Sequence, residues 1–151
     1  MKIVDYFALD ERQRASCREQ IGEGDWRAAR FLYGLLEKDE LWKHCGRGTQ
    51  LLLGLEGERL AAFCTLAERD EVDAPDMTPW IGFVYTFPEY RGRRRSGELI
   101  AHACEIARKR GEKQIYVSTD EIGLYEKYGF AFIGTMKDTR GGDTRVYTKQ
   151  L

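Results

Sequence analysis

The sequence has no apolar run long enough to cross a membrane. Its longest aliphatic stretch, "LLLGL" at 51–55, falls far short of the roughly 20 residues that a span requires. Nor does a basic segment followed by a long apolar run open the chain, so a cytoplasmic protein with no membrane partner is expected. There is no C-x-x-C pair: Cys17, Cys45, Cys64 and Cys104 are scattered, and His44 and His102 have no evident partner. Neither a metal site nor a redox motif is written in such spacing. The thiols are expected to be buried and unpaired, Cys64 within the apolar "LAAFCTLA" and Cys104 on the apolar side of a helix. Net charge is also lacking, with 24 Lys and Arg against 25 Asp and Glu. That balance excludes a general attraction to nucleic acid or anionic lipid. No repeat of 20 to 50 residues and no low-complexity segment interrupts the order. A chain of 151 residues then suits a single domain spanning 1–151.

What the chain does have is a local excess of charge. "YRGRRRSGELI" at 90–100 gathers Arg91, Arg93, Arg94 and Arg95 around two glycines, and then becomes apolar with helical spacing. The first N–H groups of a helix have no intrahelical partner, and its dipole places partial positive charge at that end. A basic loop leading into a helix is therefore expected to hold a phosphate or diphosphate. Simple solvation of the arginines is the competing reading.

The elements around it follow from pattern. "KIVDYFAL" reads as an edge strand, Asp10 as the cap of a helix through "ERQRASCREQI", and Asp25 as the cap of a second helix. On that second helix Trp26, Ala29, Leu32, Tyr33 and Leu36 form one apolar face. "TQLLLGLEGERLAAFCTLAER" predicts a hairpin turning at Glu56 and Gly57, and the polar "DEVDAPDMTP" a loop. "WIGFVYTF" predicts a strand ending at Pro88; after the basic loop, Leu99, Ile100, Ala103, Ile106 and Ala107 predict a helix from Gly97 that stops at Gly111. "KQIYVST" is a further strand, Asp120 caps an expected two-turn helix ending before Gly129, and "AFIGTMK" and "TRVYTKQ" make a terminal hairpin about Gly141 and Gly142.

Two motifs taken together carry a family likeness. "FPEYRGRRRSGELI" follows a strand and opens a helix, and "LYEKYGF" comes one helix and one strand later. From Trp80 onward the chain resembles the GNAT superfamily of acetyl-CoA-dependent N-acetyltransferases. Its signature is Gln or Arg, two residues, Gly, one residue, Gly or Ala, and, further on, a Leu-Tyr pair and a Gly-Phe. With Arg91 at the first position, Arg94 and Ser96 stand where the family has glycines.

The resemblance implies an α/β (α+β) fold: a mixed, mostly antiparallel sheet of six to seven strands flanked by about four helices. It implies acetyl-CoA as cosubstrate, no metal, and transfer to a small-molecule or peptide amine, with a homodimer left open. By position it implies coenzyme contacts from Val84, Tyr85 and Thr86 along the strand, from Arg91, Gly92, Arg93, Arg94, Arg95, Ser96 and Gly97 in the loop and helix start, and from Ser118. Tyr125 matches the family tyrosine that protonates the departing thiolate, whereas Tyr128 reads as packing. A general base is absent where the family often has Glu or His, because Trp80 and Gly82 stand there. The preceding loop offers Asp73 or Asp76 instead, or a water chain. A sensor of the same fold that binds acetyl-CoA without turnover is the alternative function.

Overall fold

The computed structural model describes all residues 1–151. Its strands are β1 (Lys2–Asp5), β2 (Gln50–Glu56), β3 (Arg59–Ala67), β4 (Trp80–Thr86), β5 (Gln114–Thr119), β6 (Ala131–Lys137) and β7 (Asp143–Gln150). The helices are α1 (Glu11–Gly22), α2 (Arg27–Glu37), α3 (Leu41–Cys45) and α4 (Arg95–Lys109). One seven-stranded sheet runs in the order β1-β2-β3-β4-β5-β7-β6. Every neighbouring pair is antiparallel except β4 with β5. The fold expected from the resemblance is thus the fold observed. No helix is long and apolar enough to cross a membrane.

Alternation along the strands sends side chains to two opposed layers. Leu52, Ala62, Cys64, Ile81, Ile115 and Val117 join Leu99, Ile100, Ala103 and Ala107 of α4 in one cluster. Leu51, Leu53, Phe63 and Tyr85 pack on the other side against Ala29, Leu32, Leu35 and Leu36 of α2. A smaller cluster of Val72, Trp80, Tyr116 and Val146 lies beneath the loop joining β3 to β4. Leu99 is fully buried at the centre of the α4 layer. Its truncation in Leu99→Ala is expected to cost about 2–5 kcal/mol, read as a lowered denaturation midpoint with unchanged slope.

Several local expectations meet their structural outcome here. Asp10 caps α1 in a full capping box with Gln13, and all four cysteines are free and buried. Asp25 does not cap α2; Trp26 holds that position and no side chain caps it, because the Asp25 carboxylate is committed to Tyr85. The helix after the basic loop begins at Arg95 rather than Gly97, with Arg94 as its cap residue, so Ser96 lies inside the first turn and does not cap it. The two-turn helix expected after Asp120 is instead a single 3-10 turn at Tyr125–Tyr128. The five-residue α3 has no counterpart in the sequence reading, being too short to show a period.

Candidate active site

Strands β4 and β5 pair only through Trp80 with Tyr116 and Ile81 with Val117, and then part. The separation has a visible cause in β4. The β3–β4 register slips where Phe63 pairs with Tyr85 but Thr65 pairs with Gly82, setting Phe83 and Val84 of β4 opposite Cys64 alone. Phe83 takes φ +48, rare for a bulky side chain, and the bulge turns β4 away from β5. Beyond Ile81 the β5-facing edge of β4 has no ladder partner. A cavity of about 950 Å³ fills the opening.

Of the residues implied by the resemblance, Val84, Tyr85, Thr86, Arg91, Ser96, Ser118 and Tyr125 line this cavity, whereas Gly92, Arg93, Arg94, Arg95 and Gly97 do not. Each outcome has a local reason. Arg94 is the α4 cap residue in the left-handed region, φ +58, where glycine is preferred; Gly92 is at φ +83. Arginine adopts that conformation at a cost of about 1–2 kcal/mol, and the side chains of Arg93 and Arg94 remain exposed. Arg95 turns away from the cavity. It pairs with Glu56 at 2.6 Å and lies over the Tyr90 ring, so it anchors the helix start to β2. Gly97 is a packing position: a Cβ there would stand 2.8 Å from the Tyr128 ring. Tyr128, read as packing, does pack there, and its hydroxyl lies 3.3 Å from Ser96 Oγ.

The start of α4 nevertheless faces the opening through Ser96. The first intrahelical bond is donated by the Glu98 amide to the Arg94 carbonyl at 3.1 Å, so the amides of Arg95, Ser96 and Gly97 precede it. Arg91 supplies the one guanidinium on the cavity wall. It donates to the Thr86 carbonyl at 2.9 Å, lies over the Tyr85 ring and reaches Asp25 at 3.4 Å. The Tyr85 hydroxyl donates to Asp25, which holds that carboxyl below its ordinary range, with Arg91 adding to the effect. Trp26 stacks on Tyr85 at 5.6 Å with planes 5° apart, making a flat aromatic wall on the α2 side.

Tyr125 is only 4% exposed and belongs to the α4-side cluster, its ring edge-on to Tyr128 and Phe130. Burial pushes its phenol well above the ordinary tyrosine range, so it remains a proton donor throughout the working pH range.

Asp73 and Asp76, the loop carboxylates expected near the site, are exposed and neither lines the cavity. Asp70, three residues earlier, does line it. Its Oδ2 accepts the Ser118 hydroxyl at 2.6 Å, and a Cβ on Gly82 would stand 2.6 Å from its Oδ1. Burial raises the Asp70 carboxyl pKa, and the Ser118 hydrogen bond opposes that rise. No group of three or more His, Cys, Asp or Glu side chains is placed to hold a metal ion.

A sheet opened between two parallel strands, a helix start at its mouth and a buried phenol inside define an acyltransferase of the GNAT type. The family model described as acetyltransferase (GNAT) matches residues 18–130, and the chain belongs to that family. Among solved structures, an aminoglycoside 6'-N-acetyltransferase complexed with coenzyme A superposes with TM-score 0.72 at 13% identity, covering 99% of this chain and 97% of that one. The aminoglycoside 6'-N-acetyltransferase from Enterococcus faecium gives 0.66 at 13%, over 99% and 97%. A GNAT family acetyltransferase from Elizabethkingia anophelis with acetyl-CoA bound gives 0.59 at 18%, over 78% and 87%. Comparison with curated proteins finds no match.

Proposed function

We propose that the protein transfers an acetyl group from acetyl-CoA to a primary amine of a small cationic molecule by direct attack on the thioester. The observation that carries this reading is the bulge-opened edge of β4, which leads from the amides and Arg91 at the α4 start to the buried Tyr125 hydroxyl. A pantetheine arm laid along Val84, Tyr85 and Thr86 exchanges amide hydrogen bonds with that edge, as an added strand does. Its diphosphate then meets the α4 amides, and its thioester the phenol. A β4 backbone N–H aimed at the thioester oxygen stabilises the charge that develops there; losing one such donor costs about 3 kcal/mol. As the C–S bond breaks, Tyr125 gives its proton to the sulfur, and the same dry surroundings that weaken the phenol as an acid strengthen the thiolate as a base.

The charge of the wall supports a cationic acceptor. Seven carboxylates line the cavity, from Asp25, Asp70, Glu71, Asp120, Glu121, Asp138 and Asp143, against the single cation of Arg91. Arg91, Arg140 and Lys137 pair with Asp25, Glu71 and Asp143, which leaves four without an ion-pair partner. Such a wall concentrates polyamines near the acceptor end of the cleft. The solved neighbours named for aminoglycoside acetylation agree with this choice.

Incubating the protein with acetyl-CoA and kanamycin, spermidine, phenethylamine or a lysine peptide, with thiol release as the readout, tests the reading. Transfer is expected to kanamycin or spermidine in preference to phenethylamine, with a preference that shrinks as salt is added. Binding of acetyl-CoA in calorimetry with no transfer to any amine would replace the enzyme by a sensor. No binding at millimolar coenzyme would remove both.

A further inference from the structure

We propose that Asp70, delivered from the β3–β4 loop into the space that Gly82 leaves open, is the general base that takes the proton from the attacking ammonium. This assignment rests on the acetyl-transfer reading above. An amine enters the cleft protonated, and its lone pair is free to attack only once that proton has gone. The base must therefore stand on the acceptor's side of the opening, opposite the group that protonates sulfur.

Alternation supplies that geometry. Ile81 and Val117 point into the α4 cluster that contains Tyr125, whereas their neighbours Trp80 and Tyr116 join the cluster beneath the β3–β4 loop. Gly82 and Ser118 repeat the parity of Trp80 and Tyr116 and so face away from Tyr125. Asp70 meets both of them, with Ser118 Oγ at 2.6 Å. Its place depends on the missing side chain at residue 82: any Cβ there would collide with Oδ1 at 2.6 Å and crowd Thr65 Oγ1 at 3.1 Å. The carboxylate that a strand residue could have offered comes from the loop instead, to the point where β4 and β5 part.

The other carboxylates of the cavity are worse placed. Asp25 is tied to Tyr85 and Arg91 and is the weaker base for it. Glu71 is paired with Arg140 and Asp143 with Lys137, Asp138 accepts the backbone amides of Arg140 and Gly142 in the turn before β7, and Asp120 and Glu121 are exposed. The titratable groups facing Asp70 are Glu71 of its own loop, His44 and Cys45 of α3, and Tyr125 across the cleft. Burial in this setting raises the carboxyl toward the pH at which a base is most useful.

The step balances without a further reactant. Asp70 takes one N–H proton from the ammonium, the freed lone pair forms the C–N bond, and the C–S bond breaks as the tetrahedral oxyanion collapses. Tyr125 passes its proton to sulfur, the new amide nitrogen loses its second proton to solvent, and solvent returns one to the phenolate and removes the one held by Asp70, so that one proton is released per turnover. Ser118 is the positioning residue, orienting the carboxylate and favouring its charged form.

The test compares wild type, Asp70→Asn, Gly82→Ala and Ser118→Ala with acetyl-CoA and kanamycin or spermidine between pH 5 and pH 10. In the wild type, kcat/KM rises as Asp70 deprotonates. Asp70→Asn is expected to lose about 10²-fold in kcat and the ascending limb with it, while acetyl-CoA affinity in calorimetry stays within about 2-fold. Gly82→Ala keeps the carboxylate but displaces it, and a loss of about 10-fold or more in kcat is expected. Ser118→Ala removes a bond that favours the anion, so its ascending limb moves to higher pH. The folded Asp70 carboxyl binds its proton more tightly than the unfolded one, so stability falls as pH rises through that range. Asn lacks the charge, and its melting temperature at pH 7 is therefore no lower than that of wild type. Turnover by Asp70→Asn within about 3-fold of wild type, with the limb retained, would overturn the assignment. A wild type that acetylates neither amine overturns the proposed function and this base together.

Discussion

Tyr125→Phe is expected to lower kcat by about 10²-fold while acetyl-CoA affinity changes less than about 2-fold. The substitution removes one oxygen from a ring that is 4% exposed and packed among Tyr128, Phe130 and Tyr147. Phenylalanine keeps the shape of that packing, so the fold has little reason to respond. In the proposed mode the diphosphate sits at the far end of the cleft from this hydroxyl, so ground-state binding is expected to be spared. What disappears is the proposed proton donor for the sulfur. Because burial places the phenol far above its ordinary range, wild-type kcat is expected to show no descending limb below about pH 10. Two thioesters differing in leaving-group basicity separate this role from packing. Tyr125→Phe loses most with the more basic thiolate, and a uniform loss with both would remove the phenol from the chemistry.

How far the sequence foretold this site depends on the range over which each feature is decided. The strands and α4 were legible because burial alternates over two residues or recurs over three and four, all within one short window. The place of the α4 start, after a strand and a basic loop, was legible for the same reason. The loop arginines were not separable by type: which of four guanidiniums faces the cleft follows from Gly92 and Arg94 taking positive φ, and from Glu56, 39 residues away, claiming Arg95. Asp25 has the local look of a helix cap, yet Tyr85, 60 residues later, holds its carboxylate. The choice of Asp70 over Asp73 and Asp76 is equally remote. It is made by Ser118, 48 residues along, and by the bare Cα of Gly82. The one hint in the sequence was Gly82 itself, a glycine inside a strand, which signals that something approaches the backbone closely.

Ser96→Glu sets the coenzyme site against the stability of the helix that builds it. Residue 96 lies in the first turn of α4, where the unbonded amides and the dipole favour a negative side chain by about 0.3–1 kcal/mol. On stability alone, then, the variant gains, and its melting temperature is expected to stay level or rise. The same carboxylate lines the cavity at the point assigned to the diphosphate. Two unit charges of like sign about 4 Å apart repel by about 4 kcal/mol at an effective dielectric of about 20, and salt removes part of that. Acetyl-CoA affinity is therefore expected to fall by about 100-fold at low salt, with part of the loss recovered at about 0.5 M salt, where screening shortens its reach. A neutral Ser96→Gln of nearly the same size is expected to lose less than about 5-fold, which separates charge from bulk. Equal affinity for Ser96→Glu and wild type in calorimetry would mean that the anion rests elsewhere. The argument that runs from the α4 amides along β4 to Tyr125 would then lose its first step.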